Sequence, residues 1–480
     1  MLMTTRFIVL IVKLTIMETS PKEEWPKWIS KRLFGRKSVE VKQHNGRYYL
    51  YTYTNTWDKD EQKPHRTTRY EGVLTEKEEG KDRVIEKGHV SLLYDMLKKD
   101  MLEQLVDYFP TQWKYLISLS MNRTIYPMPL KRIGSWYEKT ALSKFIGLEG
   151  ITAKTLSKKL EQIGTFEGAC TEFMNGLIVD NDMLLYDGSF IHSFSKENKL
   201  LDVGYDKDGL LLPKANITLL FSKVRNLPVY YRLFFGGVHE VNSVQSLIEK
   251  LRDRNIIMIA DKGYYKNQLY EELRTNHVDF IMPLPRDDKR IDYKISLDDV
   301  MEYHKRIVRY SLYKTGKYYI YIYEDQRLKY EETSEYYRIK LNMRKVEFHE
   351  EWAGKIAIIS TVKKNPKEVY EMWKSRDGIE KAFDVLQNDL QTDAPYISKE
   401  ATFKGYLFAS FISLYMHYKV LNLLKSAGIN DKISVSDLLF ELSKVMAYEK
   451  NGNLLEIPRR TYKMIDACGI RNLIVKNGWS

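Results

Sequence analysis

The chain has 480 residues, 44% hydrophobic and 29% charged, which excludes a disordered or collagen-like polymer and allows two to four domains around substantial cores. Its 76 Lys and Arg against 64 Asp and Glu leave a formal charge of +12, an excess that suits a polyanionic partner. Cys170 and Cys468 are too few and too distant for a disulfide framework or a zinc site, so a reducing compartment, the cytoplasm, is expected.

The first apolar stretch, Phe7 to Met17, is interrupted by Lys13 and falls well short of the roughly 20 residues a spanning helix needs. Pro21-Lys-Glu-Glu24 makes a poor signal cleavage region. The first sixteen residues read as a β-strand or a start-site artefact, with Met17 as the true start, and no membrane association is expected. From Trp28 to about Glu86 the residues alternate as in strands, most plainly in Arg47-Tyr-Tyr-Leu-Tyr-Thr-Tyr53. Basic residues such as Arg66 and Arg69, interleaved with tyrosines and Trp57, are what a DNA-end recognition module would need. Residues 1–88 are therefore read as a β-rich region for DNA ends, with a small solvated β-domain as the alternative.

Residues 89–180 read as helical. Leu92, Leu93, Met96 and Leu97, then Leu102, Leu105 and Val106, recur at helical spacing, and further helices are expected over Tyr137–Phe145 and Thr152–Ile163. Lys131 and Arg132 lead an exposed basic set that would either grip DNA or simply solvate a helical bundle.

A core is expected over 181–285. Met183-Leu-Leu-Tyr-Asp187 and Ile256-Ile-Met-Ile-Ala-Asp261 are short apolar runs, each ending in an aspartate, which by itself is a common turn cap. Between them lie a turn at Gly204–Gly209, a strand over Leu227–Phe235 and a helix over Asn242–Arg254. A helix near Asn267–Thr275 and a strand over Val278–Met282 follow. Strands and helices in this order fit an α/β mixed sheet of the ribonuclease-H-like kind. Pro283-Leu-Pro285 marks a boundary, and the Lys- and Tyr-rich stretch 286–352, with Lys317-Tyr-Tyr-Ile-Tyr-Ile-Tyr323, alternates with period two as an inserted β-meander. The core resumes over 353–430, and 431–480 is a C-terminal accessory region.

Within the second half of the core, Trp373 to Gln387 reads as one continuous helix. At 100° per residue Arg376, Trp373 and Gln387 fall within about 40° of Glu380, while Ile379, Phe383, Leu386 and Leu390 share a neighbouring apolar arc. A carboxylate beside an apolar face is costly, and alone this would be an i,i+4 ion pair. With two strand-end aspartates ahead of it, Glu380 completes a set of three carboxylates able to hold a pair of divalent cations for phosphoryl transfer.

These motifs resemble the DDE transposases of bacterial and archaeal insertion sequences, in the group whose ribonuclease-H-like core carries a β-rich insertion. The family's Tyr-x2-Arg-x3-Glu-x6-Lys helix motif corresponds to Trp373, Arg376, Glu380 and Gln387. Its acid strands correspond to Tyr186-Asp187-Gly188-Ser189 and Ala260-Asp261-Lys262-Gly263-Tyr264, and its G-Y-x-K-D-G turn to Gly204–Gly209. Trp373 replaces a tyrosine and Gln387 a lysine, which removes the family's cationic DNA contact at the last position. The resemblance implies metal cleavage by Asp187, Asp261 and Glu380 with two Mg²⁺ ions (Mn²⁺ as a substitute), assisted by Arg376. It also implies cleavage of double-stranded DNA at element ends, strand transfer into target DNA, a homodimer in the synaptic complex, and a place at the nucleoid of a prokaryotic host. The alternative is a non-catalytic DNA-binding protein derived from such an enzyme. His192, His239 and His277 form no spaced ligand set, and neither a P-loop nor a dinucleotide fingerprint occurs.

Overall fold

This computed structural model describes residues 18–19, 25–33, 36, 38–58, 62–74, 82–193, 195, 201–205, 211–234, 248, 251–252, 254–261, 269–341, 348–392, 395 and 397–479. The apolar N-terminal stretch through residue 17, positions 206–209 of the expected turn, Lys262–Tyr264 and most of the expected 242–254 helix lie outside the described residues. The chain divides into two compact units, Met1–Asp82 and Arg83–Ser480.

The first unit is an antiparallel sheet of β1 (Glu18–Thr19), β2 (Val39–His44), β3 (Arg47–Asp58) and β4 (Lys63–Leu74), in that order. Period-two alternation sends Val39, Val41, Leu50 and Leu74 to one face, where they bury Ile29 of the Lys27–Arg32 helix and Leu33 beside it. Asn45 and Gly46, with φ of 49° and 74°, make the tight β2–β3 turn that a hairpin of this twist requires. Tyr49, Tyr51 and Tyr53 point to the face away from that core.

The second unit opens with β5 (Val84–Glu86), followed by seven helices between Gly88 and Gly176. One expected helix, Tyr137–Phe145, is instead two, Leu130–Glu138 and Leu142–Ile146. The Ala141 N–H donates to the Glu86 carbonyl at 2.8 Å, a backbone bond that draws the junction out of helical form. Thr152 does cap the next helix, Ala153–Thr165, through a reciprocal bond with Thr155.

Next come β6 (Met183–His192), β7 (Asp202–Tyr205), β8 (Leu211–Ser222), β9 (Leu227–Phe234), β10 (Ile257–Ala260) and β11 (Asp279–Pro283). β9, β8 and β6 run antiparallel, while β10 and β11 lie parallel beside β6. That is a ribonuclease-H-like core, and its inner strands read as near-continuous apolar runs because both faces are covered. The inserted segment adds β12 (Asp299–Tyr303), β13 (Arg306–Thr315) and β14 (Tyr318–Asp325), and β15 (Lys355–Ser360) joins them to β11, so one ten-stranded sheet results. A helix, Gln326–Leu341, stands where strand alternation was expected. Asp325 Oδ1 accepts from the N–H groups of Arg327 and Leu328 and starts it, and the run of Arg, Leu, Lys and Glu that follows favours a helix.

Behind the sheet runs the apolar Glu400–Ser426 helix. By length and composition it is long enough to cross a membrane, yet 78% of its most apolar window is buried inside the protein. Its close neighbour is Ala153–Thr165. A Cβ on Gly405 would lie 2.0 Å from the Leu160 carbonyl oxygen and one on Gly164 1.7 Å from that of Ala401, so only glycine permits these two backbones to touch. β16 (Met446–Tyr448) then pairs with β5 and ties the C-terminal segment to the start of the unit.

Candidate active site

The parallel pairing of β6 with β10 sets Tyr186 opposite Ala260, so the next residues, Asp187 and Asp261, emerge side by side at neighbouring strand positions. Both strands are apolar up to that point, which fixes their register against the core and brings the acids to its rim.

The third acid arrives differently from expectation. The stretch Trp373–Gln387 is not one helix. The Pro366–Lys374 helix, begun by Asn365 accepting from the Lys367 N–H, ends where Ser375 Oγ donates to the Met372 carbonyl at 2.6 Å. A new helix, Asp377–Asp384, starts after Arg376 and passes into a π-helical turn over Val385–Asp389. The apolar arc is nonetheless as read: Ile379, Phe383, Leu386 and Leu390 are buried. A Cβ on Gly378 would lie 3.8 Å from Leu185 Cδ1, which shows how closely this helix sits on β6.

The break makes Arg376 a junction residue whose guanidinium reaches both other elements. Nη1 lies 2.5 Å from Asp261 Oδ1 and Nη2 lies 3.3 Å from Glu380 Oε1. The Arg376 side chain is 19% exposed, against 40% for Asp261 and 55% for Glu380, so the cation is the innermost member of the group. Burial is the largest single influence on its pKa and pulls it down. Asp261, Asp187 and Glu380 together outweigh burial and hold it above its ordinary value. Asp187 accepts from the Gly188 N–H at 2.9 Å. Burial, reinforced by the charges of Asp261 and Glu380, raises its carboxyl pKa, and the Gly188 bond and Arg376 offset only part of this.

Three carboxylates and one guanidinium thus share one neighbourhood. The donor set is all oxygen, the kind hard divalent cations take, and its net charge is negative even with Arg376 present. Among the described residues no three His, Cys, Asp or Glu side chains stand close enough to ligate one ion as they are, and Arg376 supplies the counter-charge instead. The residues fit a divalent metal in chemistry and in charge.

The remaining expected site residues lie elsewhere. Gln387 does not face outward: its amide donates to the Phe190 carbonyl of β6 at 2.6 Å, a contact the π-turn permits. Trp373 is partly buried, 5.8 Å from the ring of Tyr370, with Lys374 Nζ 4.6 Å from its own ring centroid, so it completes an aromatic cluster. Lys131 and Arg132 are exposed in the first turn of Leu130–Glu138. Arg66 and Arg69 are exposed on β4, Arg66 over the Tyr53 ring. Ser193 spends its hydroxyl on the Pro395 carbonyl and belongs to no triad. Sequence reasoning missed the Arg376–Asp261 pair, which joins residues remote in the chain and leaves no local signal.

A sequence model of the family described as "Transposase DDE domain" matches residues 173–416, just over half of the chain. Among solved structures the chain is similar to a piggyBac transposase, in a cryo-EM synaptic complex with hairpin DNA. The identity is 10%, 80% of this chain and 79% of that chain are covered, and the TM-score is 0.39. No curated protein sequence matches the chain.

Proposed function

The chain belongs to the transposase DDE-domain family, and from that premise we propose that it cuts DNA at the ends of an insertion sequence and transfers the freed 3′ ends into target DNA. The observation that carries this reading is the meeting of Asp187, Asp261 and Glu380, from three separate elements, around the Arg376 guanidinium.

The family uses divalent metal ions. In this reading the three carboxylates would hold two Mg²⁺ ions, or Mn²⁺ in their place, which supply Lewis acidity and charge neutralisation at the scissile phosphate. The protein's own part is positioning. β6 and β10 hold two carboxylates on a rigid sheet edge, and the Asp377–Asp384 helix brings the third to it. Arg376 keeps Asp261 and Glu380 together and presents a cation where phosphate charge builds up. The chemistry is two in-line displacements. A water oxygen attacks phosphorus at the element end and the bond to the 3′ oxygen breaks; the resulting 3′-hydroxyl then attacks a target phosphodiester. No covalent protein–DNA intermediate is needed. A homodimer holding two ends, in the cytoplasm of a prokaryotic host, completes the proposal.

The test compares Asp187→Asn, Asp261→Asn and Glu380→Gln on duplex carrying the element ends. Each should bind DNA and fail to nick it when Mg²⁺ is added. Mg²⁺-dependent nicking that survives in any one of them removes that residue from the site. A wild-type chain that binds its ends specifically but never nicks them favours the second reading, a DNA-binding protein without catalysis.

A further inference from the structure

The outer face of the N-terminal sheet carries groups that the reaction above does not use. Same-face residues of a strand recur about every 6.6 Å, and positions 49, 51 and 53 of β3 are all tyrosine. From β4, Tyr70 pairs with Tyr51 and is 53% exposed. Its ring lies 5.4 Å from Tyr51 and 6.4 Å from Tyr49 at tilts of 57° and 44°, so the rings meet obliquely and do not stack over one another. The unit's core is on the opposite face, so this row packs nothing within it.

Cations are set among the same rings. Lys42 Nζ stands 4.8 Å from the Tyr51 centroid and the Arg66 guanidinium 3.8 Å from that of Tyr53. Glu40 orients both, at 2.7 Å from Arg66 and 3.8 Å from Lys42, and the three together remain net positive. Flat aromatic faces with cations held between them complement a chain that alternates flat bases with phosphates.

We propose that this face is a stacking platform for unpaired DNA bases, with the tyrosines taking bases and Lys42 and Arg66 taking phosphates. A closed duplex hides its base faces from a flat sheet; a strand opened at an element end exposes them. The proposal rests on DNA being the substrate, but it uses none of the three acids.

The test measures binding of the full chain, without divalent metal, to a fluorescein-labelled oligothymidylate of about 16 nucleotides and to a duplex of equal length. Tyr51→Ala with Tyr70→Ala should weaken single-strand binding by about tenfold or more, while the matching Phe pair stays within about twofold. Duplex affinity should not change. Lys42→Gln with Arg66→Gln should make the salt dependence of single-strand binding shallower by about one unit. If the Ala pair does not fold by circular dichroism, Tyr70→Ala alone, with the most exposed ring of the row, carries the test. Unchanged single-strand affinity in the Ala variant, equal losses for Ala and Phe, or equal losses on duplex overturn the platform. So does a fall from dimer to monomer in Tyr70→Ala by light scattering, which would give the face to a second copy of the chain. Glu380→Gln should bind oligothymidylate as the wild type does, so a failure of this proposal and a failure of the cleavage reading appear in different variants.

Discussion

Replacing Arg376 by Gln removes the one cation among three carboxylates while roughly keeping the side chain's length. In the metal-free protein the guanidinium serves Asp261 at 2.5 Å and Glu380 at 3.3 Å from a position only 19% exposed. A fully exposed pair contributes about 0–1 kcal/mol, and breaking a buried one costs about 3–5 kcal/mol. This site lies between, because its acids are half-exposed, so a loss of about 2 kcal/mol is expected. At about 2.1 cal/mol/K per residue, a unit of about 400 residues has an unfolding entropy near 0.8 kcal/mol/K, and the Tm should fall by about 2–3 °C. The assay is thermal unfolding in EDTA and again in excess Mg²⁺, at pH 8 and pH 5. Arg376 also opposes the raised pKa of Asp187, so its removal should push that carboxyl higher still. The deficit should therefore be largest at pH 8 and shrink toward pH 5 as carboxyl groups take up protons. Added Mg²⁺ should raise the Tm of the variant more than that of the wild type, since the cation replaces the missing charge. A variant as stable as wild type in EDTA, or a deficit indifferent to both pH and Mg²⁺, would refute the counter-charge role.

Other substitutions probe separate links. Because folding raises the Asp187 pKa, the protonated form is the one the fold favours. That contribution is complete below the unfolded value near 3.9 and is lost as pH rises through the folded one. Asp187→Asn, always neutral, should hence raise the Tm of the metal-free protein at pH 8, where an average substitution costs about 1 kcal/mol, and show no gain near pH 3; a lower Tm at pH 8 counts against the raised pKa. Gly405→Ala forces a methyl to 2.0 Å from the Leu160 carbonyl oxygen and should destabilise by about 3 kcal/mol or more in urea titration; a loss under about 0.5 kcal/mol would mean the two helices separate freely. Gln387→Lys should leave the salt slope of DNA binding unchanged, because the side chain at this position turns to the Phe190 carbonyl. A slope steeper by about one counterion would place it at the phosphates instead.

The two acid strands were legible because each is a short apolar run closed by an aspartate, a pattern local in the chain and fixed by burial on both faces. The apolar arc Ile379, Phe383, Leu386 and Leu390 was legible for the same reason, since helical periodicity survives the passage from α-helix to π-turn. The helix break at Ser375 was not. Ser375 could as well have bonded within a continuing helix, and only its hydrogen bond to Met372 shows that it ends one. Likewise the inserted stretch showed its strands through tyrosine alternation, while the Gln326–Leu341 helix was hidden by the same Lys- and Tyr-rich composition.

What the sequence by itself determined is therefore the set of elements with strong periodicity, and the three acids at their ends. Which charge answers which acid was decided by tertiary structure alone. The parallel register of β6 with β10 sets Asp187 beside Asp261, and the break after Ser375 turns Arg376 toward Asp261 as well as Glu380. The same holds for Gln387, whose amide meets β6 only because the π-turn shifts it there. Burial patterns are written residue by residue and can be read along a chain; ion pairs between distant segments depend on strand register and helix direction, which emerge only when the core closes.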